Sequence, residues 1–177
     1  MTDPASDGPI RQTADDLFAR LTDLGIAFTR HDHPPLFTVD DSKALRGSLP
    51  GGHCKNLFLR DKKGAMWLLV CLEDRAIDLK ALGAHLGGAR LSFGSPDRLM
   101  RVLGVIPGAV SPFTLINDSE ISVQVLLDAE MLRHDPLNYH PLRNDMTLAV
   151  SPDGLMRFIG SCGHVPTVVD LDRLAGG

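Results

Sequence analysis

The stretch Lys55-Asn56-Leu57-Phe58-Leu59-Arg60, then Asp61-Lys62-Lys63-Gly64, then Ala65-Met66-Trp67-Leu68-Leu69-Val70 decides the fold. Two apolar runs of strand length flank a polar turn that ends in glycine, which is the pattern of a β-hairpin. A pair this long and this apolar is expected in the middle of a sheet.

Upstream, Leu17, Phe18, Leu21 and Leu24 recur at helical spacing. Thr13 is the expected N-cap, with Asp16 three residues on, and Gly25 supplies the stop. A short strand over Ala27–His31 follows and is ended by Pro34-Pro35. Thr38 and Asp40-Asp41 suggest a second helix running towards Leu45, before the turn Pro50-Gly51-Gly52.

Downstream, Ile77–Leu86 reads as a helix closed by Gly87-Gly88, and Arg90–Phe93 as a short strand. Pro96 after Ser95 starts a helix through Leu103. After the Gly/Pro loop Gly104–Pro112, Phe113–Ile116 reads as a strand, paired antiparallel with Ile121–Leu127 across Asn117-Asp118. Tyr139–Leu142 and Met146–Val150 form a further pair, then a helix over Ser151–Ile159 and a strand over Thr167–Leu171. The expected architecture is one α+β (mixed α/β) domain over residues 13–177. It has a largely antiparallel central sheet and surrounding helices. A flexible tail at residues 1–12 precedes it.

The chain of 177 residues can bury a sizeable core without staples. Its 18 basic and 22 acidic side chains give a net charge of −4, which argues against a general grip on phosphate backbone. A local basic patch stays compatible with that balance. Cys54, Cys71 and Cys162 are odd in number and widely spaced, so no disulfide framework is expected and a reducing cytoplasm is the simplest location. No signal-peptide pattern is read at the start, and the apolar run Trp67–Leu72 is too short to span a bilayer, so no membrane partner is expected.

Three features can carry chemistry. Lys55 opens an apolar strand directly after a Gly-rich turn, either as a solvated edge residue or as a cation aimed into a cleft. The loop Gly104–Pro112 contains Gly108 and flanking prolines. It is either an ordinary connection or a turn whose outward amides can stabilise an oxyanion. His140, in Asn138-Tyr139-His140-Pro141-Leu142-Arg143-Asn144, is either structural or a group that contacts substrate or orients water. His31 and His33, with Cys162 and His164, offer a remote zinc reading, but no C-x-x-C pair or H-E-x-x-H helix is present and no metal or cofactor is expected. Ser161 lacks a nucleophile-elbow pattern, and Cys54 is read as a small buried side chain rather than a reactive thiol.

Five segments taken together carry a resemblance. They are Gly51–Leu59, Arg90–Gly94, Gly104–Gly108, Phe113–Asp118 and Tyr139–Asn144. In this order they resemble the YbaK/ProX aminoacyl-tRNA deacylase family, and the last segment points to its free-standing ProXp-ala branch. The similarity runs from about Thr13 to Leu171.

The resemblance implies a fold like the editing insertion domain of bacterial prolyl-tRNA synthetases, and hydrolysis of mischarged Ala-tRNA(Pro) in trans. It implies that Lys55, Gly108 and His140 are the catalytic set. Asn56, Ser111, Pro112 and Asn144 would contact substrate, with Phe37, Thr38 and Ser111 as candidates for excluding proline. Arg90, with Arg60, Lys62 and Lys63, would hold the acceptor end of the tRNA. The partners implied are that tRNA and prolyl-tRNA synthetase, and the protein is expected to act as a monomer. The alternatives are a deacylase for another small-residue tRNA and a binding module without hydrolysis.

Overall fold

The computed structural model describes residues 11–36, 44 and 49–175. Thr13 and Asp16 form the capping box that their spacing predicts, and α1 spans Ala14–Asp23 with Ala14, Leu17 and Leu21 buried. The strands are β1 (Phe28–Asp32), β2 (Gly52–Arg60), β3 (Met66–Leu72), β4 (Ser92–Phe93), β5 (Val123–Asp128), β6 (Leu137–Tyr139), β7 (Met146–Val150) and β8 (Thr167–Val169). The further helices are α2 (Leu79–His85), α3 (Pro96–Leu103), α4 (Pro152–Ser161) and α5 (Leu171–Ala175), with 3-10 turns at Pro112–Asn117 and Met131–Arg133.

The strands join one sheet in the order β1-β7-β6-β2-β3-β5-β8, with β4 on β2. The hairpin forms as expected, with Leu57 opposite Leu69 and Arg60 opposite Met66. Strand β3 is central and buried on both faces. Leu68 and Val70 belong to one core, with Leu17, Leu103, Phe113 and Phe158. Trp67, Leu69 and Cys71 belong to a second core on the other face, with Leu59, Leu82 and Leu171. Period-two alternation within one apolar strand thus feeds two layers of helices.

Two expectations are corrected. Phe113–Ile116 is not a strand but part of the 3-10 turn Pro112–Asn117. Ser111 caps that turn through its hydroxyl, and Phe113, Thr114, Leu115 and Ile116 are all buried. A short apolar run buried on every side has no face to reveal its type. Strand β5 accordingly has no hairpin partner; it runs parallel to β3 and to β8. The sheet is therefore largely antiparallel, as expected, but includes parallel pairs. Its antiparallel pairs are β1/β7, β6/β7, β2/β3 and β2/β4, and β2/β6 joins the two parallel pairs already named. The expected helix from Thr38 towards Leu45 lies outside the described residues, apart from Ala44, which is helical. Among the described residues no helix is long and apolar enough to cross a membrane.

Candidate active site

Strand β2 begins at a turn that is held from below. Gly51 has φ +97, and a Cβ there would sit 2.2 Å from the Pro136 carbonyl oxygen, so only glycine fits. Buried Asn138 on β6 donates its amide to Pro50 O and Gly52 O at 3.0 and 3.1 Å. This staple sets the start of β2 against β6 and delivers Asn56 to a cleft.

The cleft has two compartments that share Asn56 and His140. The smaller, about 80 Å³, also carries His53, Cys54, Glu73, Asn138 and Thr147 on its walls. The larger, about 310 Å³, runs past Gly108 and Pro107 to Phe93. Asn56 Oδ1 and Asn138 Oδ1 are buried without a hydrogen-bond partner among the described residues. Such acceptors are costly to leave unmet, and both belong to residues lining the smaller compartment.

His140 has a defined tautomer. Its Nδ1 lies 2.7 Å from the Met146 carbonyl oxygen, which only accepts, so Nδ1 carries the proton. Nε2 then keeps its lone pair. Burial holds the imidazole below its ordinary range, and the backbone bond to Met146 only partly offsets that. His140 is therefore neutral near pH 7. His33 packs against it at 5.9 Å between ring centroids. The His33 ring is itself fixed: Nδ1 donates to Pro34 O, and Nε2 accepts from the Thr147 hydroxyl, both at 2.9 Å.

The loop after α3 is shaped by two glycines. Gly104 closes the helix in the left-handed conformation, at φ +71. Asn117 Nδ2 donates to Leu103 O at 3.1 Å, fastening the loop to the 3-10 turn. Gly108, at φ +94, stands at the cleft with open space on its Cβ side. Ser111 and Pro112, expected to contact substrate, are placed in the core instead. The Ser111 hydroxyl accepts from Phe113 N at 3.1 Å.

Lys55 is not brought to the cleft. In β2 it stands opposite Cys71, whereas Asn56 stands opposite Val70. Cys71 belongs to the second core and Val70 to the first, so Lys55 and Asn56 face opposite sides of the sheet. The Lys55 ammonium donates to the Arg75 carbonyl oxygen. Arg75 in turn pairs with buried Asp128, at 3.4 Å, and with Asp172.

Lys62, Lys63 and Arg90 are exposed and line one groove between the β2–β3 turn and the end of α2. Arg60 is opposite Ser92 at the end of β2. Asn144 accepts at its carbonyl from Leu36 N, at 3.2 Å, and serves the β1–β7 end of the site as backbone. Phe37 and Thr38 lie outside the described residues.

The thiols are poor nucleophiles: burial raises Cys54 to about 12 and Cys71 to about 11. Among the described residues, no group of three or more His, Cys, Asp or Glu is placed to hold a metal. His164, from the zinc reading, is buried on Asp118 at 2.9 Å.

Sequence reading missed Asn138 as the staple, His33 as the prop for His140, and Phe93 on the cleft wall. All three depend on strand pairing, and their only local signal is a polar or aromatic residue in, or directly after, a short strand.

Residues 33–158 match the model of the aminoacyl-tRNA editing domain. The prolyl-tRNA editing protein ProX of Acetoanaerobium sticklandii is 34% identical, over 88% of this chain and 95% of that protein. The prolyl-tRNA synthetase associated domain-containing protein 1 of Mus musculus is 34% identical, over 89% and 95% respectively. A crystal structure of a candidate trans-editing enzyme for prolyl tRNA synthetase superposes with a TM-score of 0.68 at 18% identity, covering 92% of this chain and 98% of that one. The fold, the match along most of the chain and the full-length relatives agree, and the chain belongs to the aminoacyl-tRNA editing domain family of deacylases.

Proposed function

We propose that this protein hydrolyses mischarged Ala-tRNA(Pro) in trans, without a metal or cofactor. The observation that supports this best is the pair of unequal compartments joined at Asn56 and His140. The smaller takes a small aminoacyl group, and the larger takes the terminal nucleoside. The ester then lies at the junction, next to Gly108.

The reaction needs little from the protein, because an aminoacyl ester is already activated. A water oxygen bonds to the carbonyl carbon, and the carbon–oxygen bond to the ribose breaks. The departing ribose oxygen takes up a proton, leaving free alanine and an intact tRNA end. Neutral His140 offers its Nε2 lone pair to the attacking water, assisted by the neighbouring ribose hydroxyl. Loop amides at Gly108 face the developing oxyanion, a contribution that is typically about a hundredfold or more in rate. Asn56 orients the aminoacyl group through its Oδ1, which no described residue partners. Lys55 is a positioning residue that anchors β2 to the Arg75 segment from the opposite face of the sheet.

Arg60, Lys62, Lys63 and Arg90 supply a local patch for acceptor-end phosphates, which reconciles RNA binding with a net charge of −4. The protein acts as a cytoplasmic monomer on tRNA released by prolyl-tRNA synthetase. A second reading has one observation in its favour. The small compartment is lined by polar Asn56, Asn138 and Thr147, which also suit a hydroxylated side chain such as serine.

A panel of charged tRNAs separates these readings. The expected result is rapid loss of alanine from tRNA(Pro), with Pro-tRNA(Pro) spared and Asn56→Ala strongly impaired. Preference for Ser-tRNA would select the second reading, and no hydrolysis above the buffer rate would overturn both.

A further inference from the structure

The larger compartment contains a residue that neither packing nor the hydrolytic chemistry explains. Phe93 is 61% exposed, and among the described residues it is the only exposed Phe, Trp or Tyr. Leaving most of a phenyl ring in water forgoes the stabilisation that its burial would give.

The backbone that carries the ring is held firmly. Strand β4 places Phe93 opposite Leu59, and Gly94 N donates to Phe58 O at 2.9 Å. Gly94 packs against the Phe58 ring, and an added Cβ would come within 2.6 Å of it. The backbone beneath Phe93 is therefore fixed on the sheet, and the ring is presented from a rigid base.

We propose that Phe93 is a stacking platform for the terminal nucleobase of the acylated RNA. This rests on the deacylase reading above and extends it to a named substrate contact. The base and the ester share one ribose, so an ester at Asn56 and His140 requires the base to lie in an adjoining space. The compartment containing Phe93 is that space, since it shares both residues. Its walls suit a base and not a phosphate. They are apolar at Phe58, Pro96, Leu99, Pro107 and Val110, and no Lys, Arg, Asp or Glu among the described residues lines them. The cations lie just outside, with Arg60 opposite Ser92 and Arg90 two residues before it. Base in the apolar cleft and phosphates towards the arginines is the arrangement that single-stranded RNA ends favour, because every base has a π-face.

The test uses Phe93→Leu, which keeps an apolar side chain but removes the π-face, and Phe93→Trp, which restores one. The exposed position predicts unchanged melting for both. With Ala-tRNA(Pro), Phe93→Leu is expected to raise KM about tenfold with a much smaller change in kcat, and Phe93→Trp to restore KM. Independently of hydrolysis, an uncharged acceptor-stem RNA with 2-aminopurine as its terminal base is titrated with each protein. Fluorescence quenching on binding is expected with the wild type and Phe93→Trp and is expected to be absent with Phe93→Leu. A wild type that hydrolyses the ester while Phe93→Leu keeps both KM and quenching would overturn the stacking role and leave the deacylase reading intact. A wild type that binds and quenches without hydrolysing would support stacking and remove the deacylase reading. Absence of both hydrolysis and quenching would overturn the two together.

Discussion

His140 donates Nδ1–H to the Met146 carbonyl oxygen across 2.7 Å, and that bond decides which ring nitrogen is left with a lone pair. Burial also holds the imidazole below its ordinary value of 6.5. The neutral form is the useful one, so activity is expected to be flat through neutral pH. It should fall only as pH drops through the lowered pKa, below 6.5. Stability follows the same sign. Below pH 6.5 the unfolded imidazole binds a proton that the folded one refuses, so this residue destabilises the fold progressively until its folded pKa is reached. A kcat/KM profile of the wild type checks the first point. An acid limb centred above 6.5, or its persistence in His140→Gln, would remove His140 from this role.

The hairpin at the centre of the sheet was legible because its signal is local: two apolar runs and one turn. The capping box of α1 was legible for the same reason. The parallel pairing of β5 with β3 was not, because the connecting segment carries no mark of which strand it returns to. Phe113–Ile116 showed apolar residues without periodicity, and tertiary burial settled it as a 3-10 turn. The site divides similarly. Gly108, Asn56 and His140 line one compartment, an arrangement that their separate segments did not reveal. Of the adjacent pair Lys55 and Asn56, only Asn56 lines the compartments, because the Lys55 ammonium is drawn to the Arg75 carbonyl oxygen. Ser111 shows that a loop polar residue can be consumed by capping its own following turn.

Gly108 tests the loop. At φ +94 an alanine is strained, at about 1 kcal/mol or more, although nothing lies within 4 Å of its Cβ. Relief of that strain moves the flanking amides, on which oxyanion stabilisation depends. Gly108→Ala is expected to fold and to lower kcat about tenfold or more while KM changes little. Single-turnover rates with Ala-tRNA(Pro) read this directly. Unchanged kcat would mean that the loop amides do not act in the transition state.

Cys54 lines the small compartment, and a thiol there invites a covalent mechanism. Its pKa is pushed up to about 12, chiefly by burial, so the thiolate is almost absent at neutral pH. Cys54→Ser is therefore expected to retain most of the activity, with at most a change in amino-acid preference. Iodoacetamide at neutral pH should leave the wild type active. Rapid inactivation that Cys54→Ser abolishes would instead indicate a nucleophilic thiol.

Asp118 and His164 form a staple remote from the cleft, each about 3% exposed. The Asp118 carboxylate accepts from Ser122 N at 3.0 Å, Val123 N at 2.9 Å and His164 Nε2 at 2.9 Å. It thereby starts β5 and ties it to the segment after α4. Burial alone would raise the Asp118 pKa, but the hydrogen bonds from His164, Ser122 and Val123 outweigh it and hold the carboxyl below 3.8. Asp118→Ala leaves two amides and a buried imidazole without an acceptor, a loss of about 3 kcal/mol that lowers Tm by about 6–12 °C. The stabilising term is present above pH 3.8 and disappears as pH falls through the folded pKa, so the difference between wild type and variant should narrow in acid. Combining the variant with His164→Ala should cost less than the sum of the two, since the second change removes a group already left unpaired. Additive losses in the melting curves would show that the two residues are not coupled.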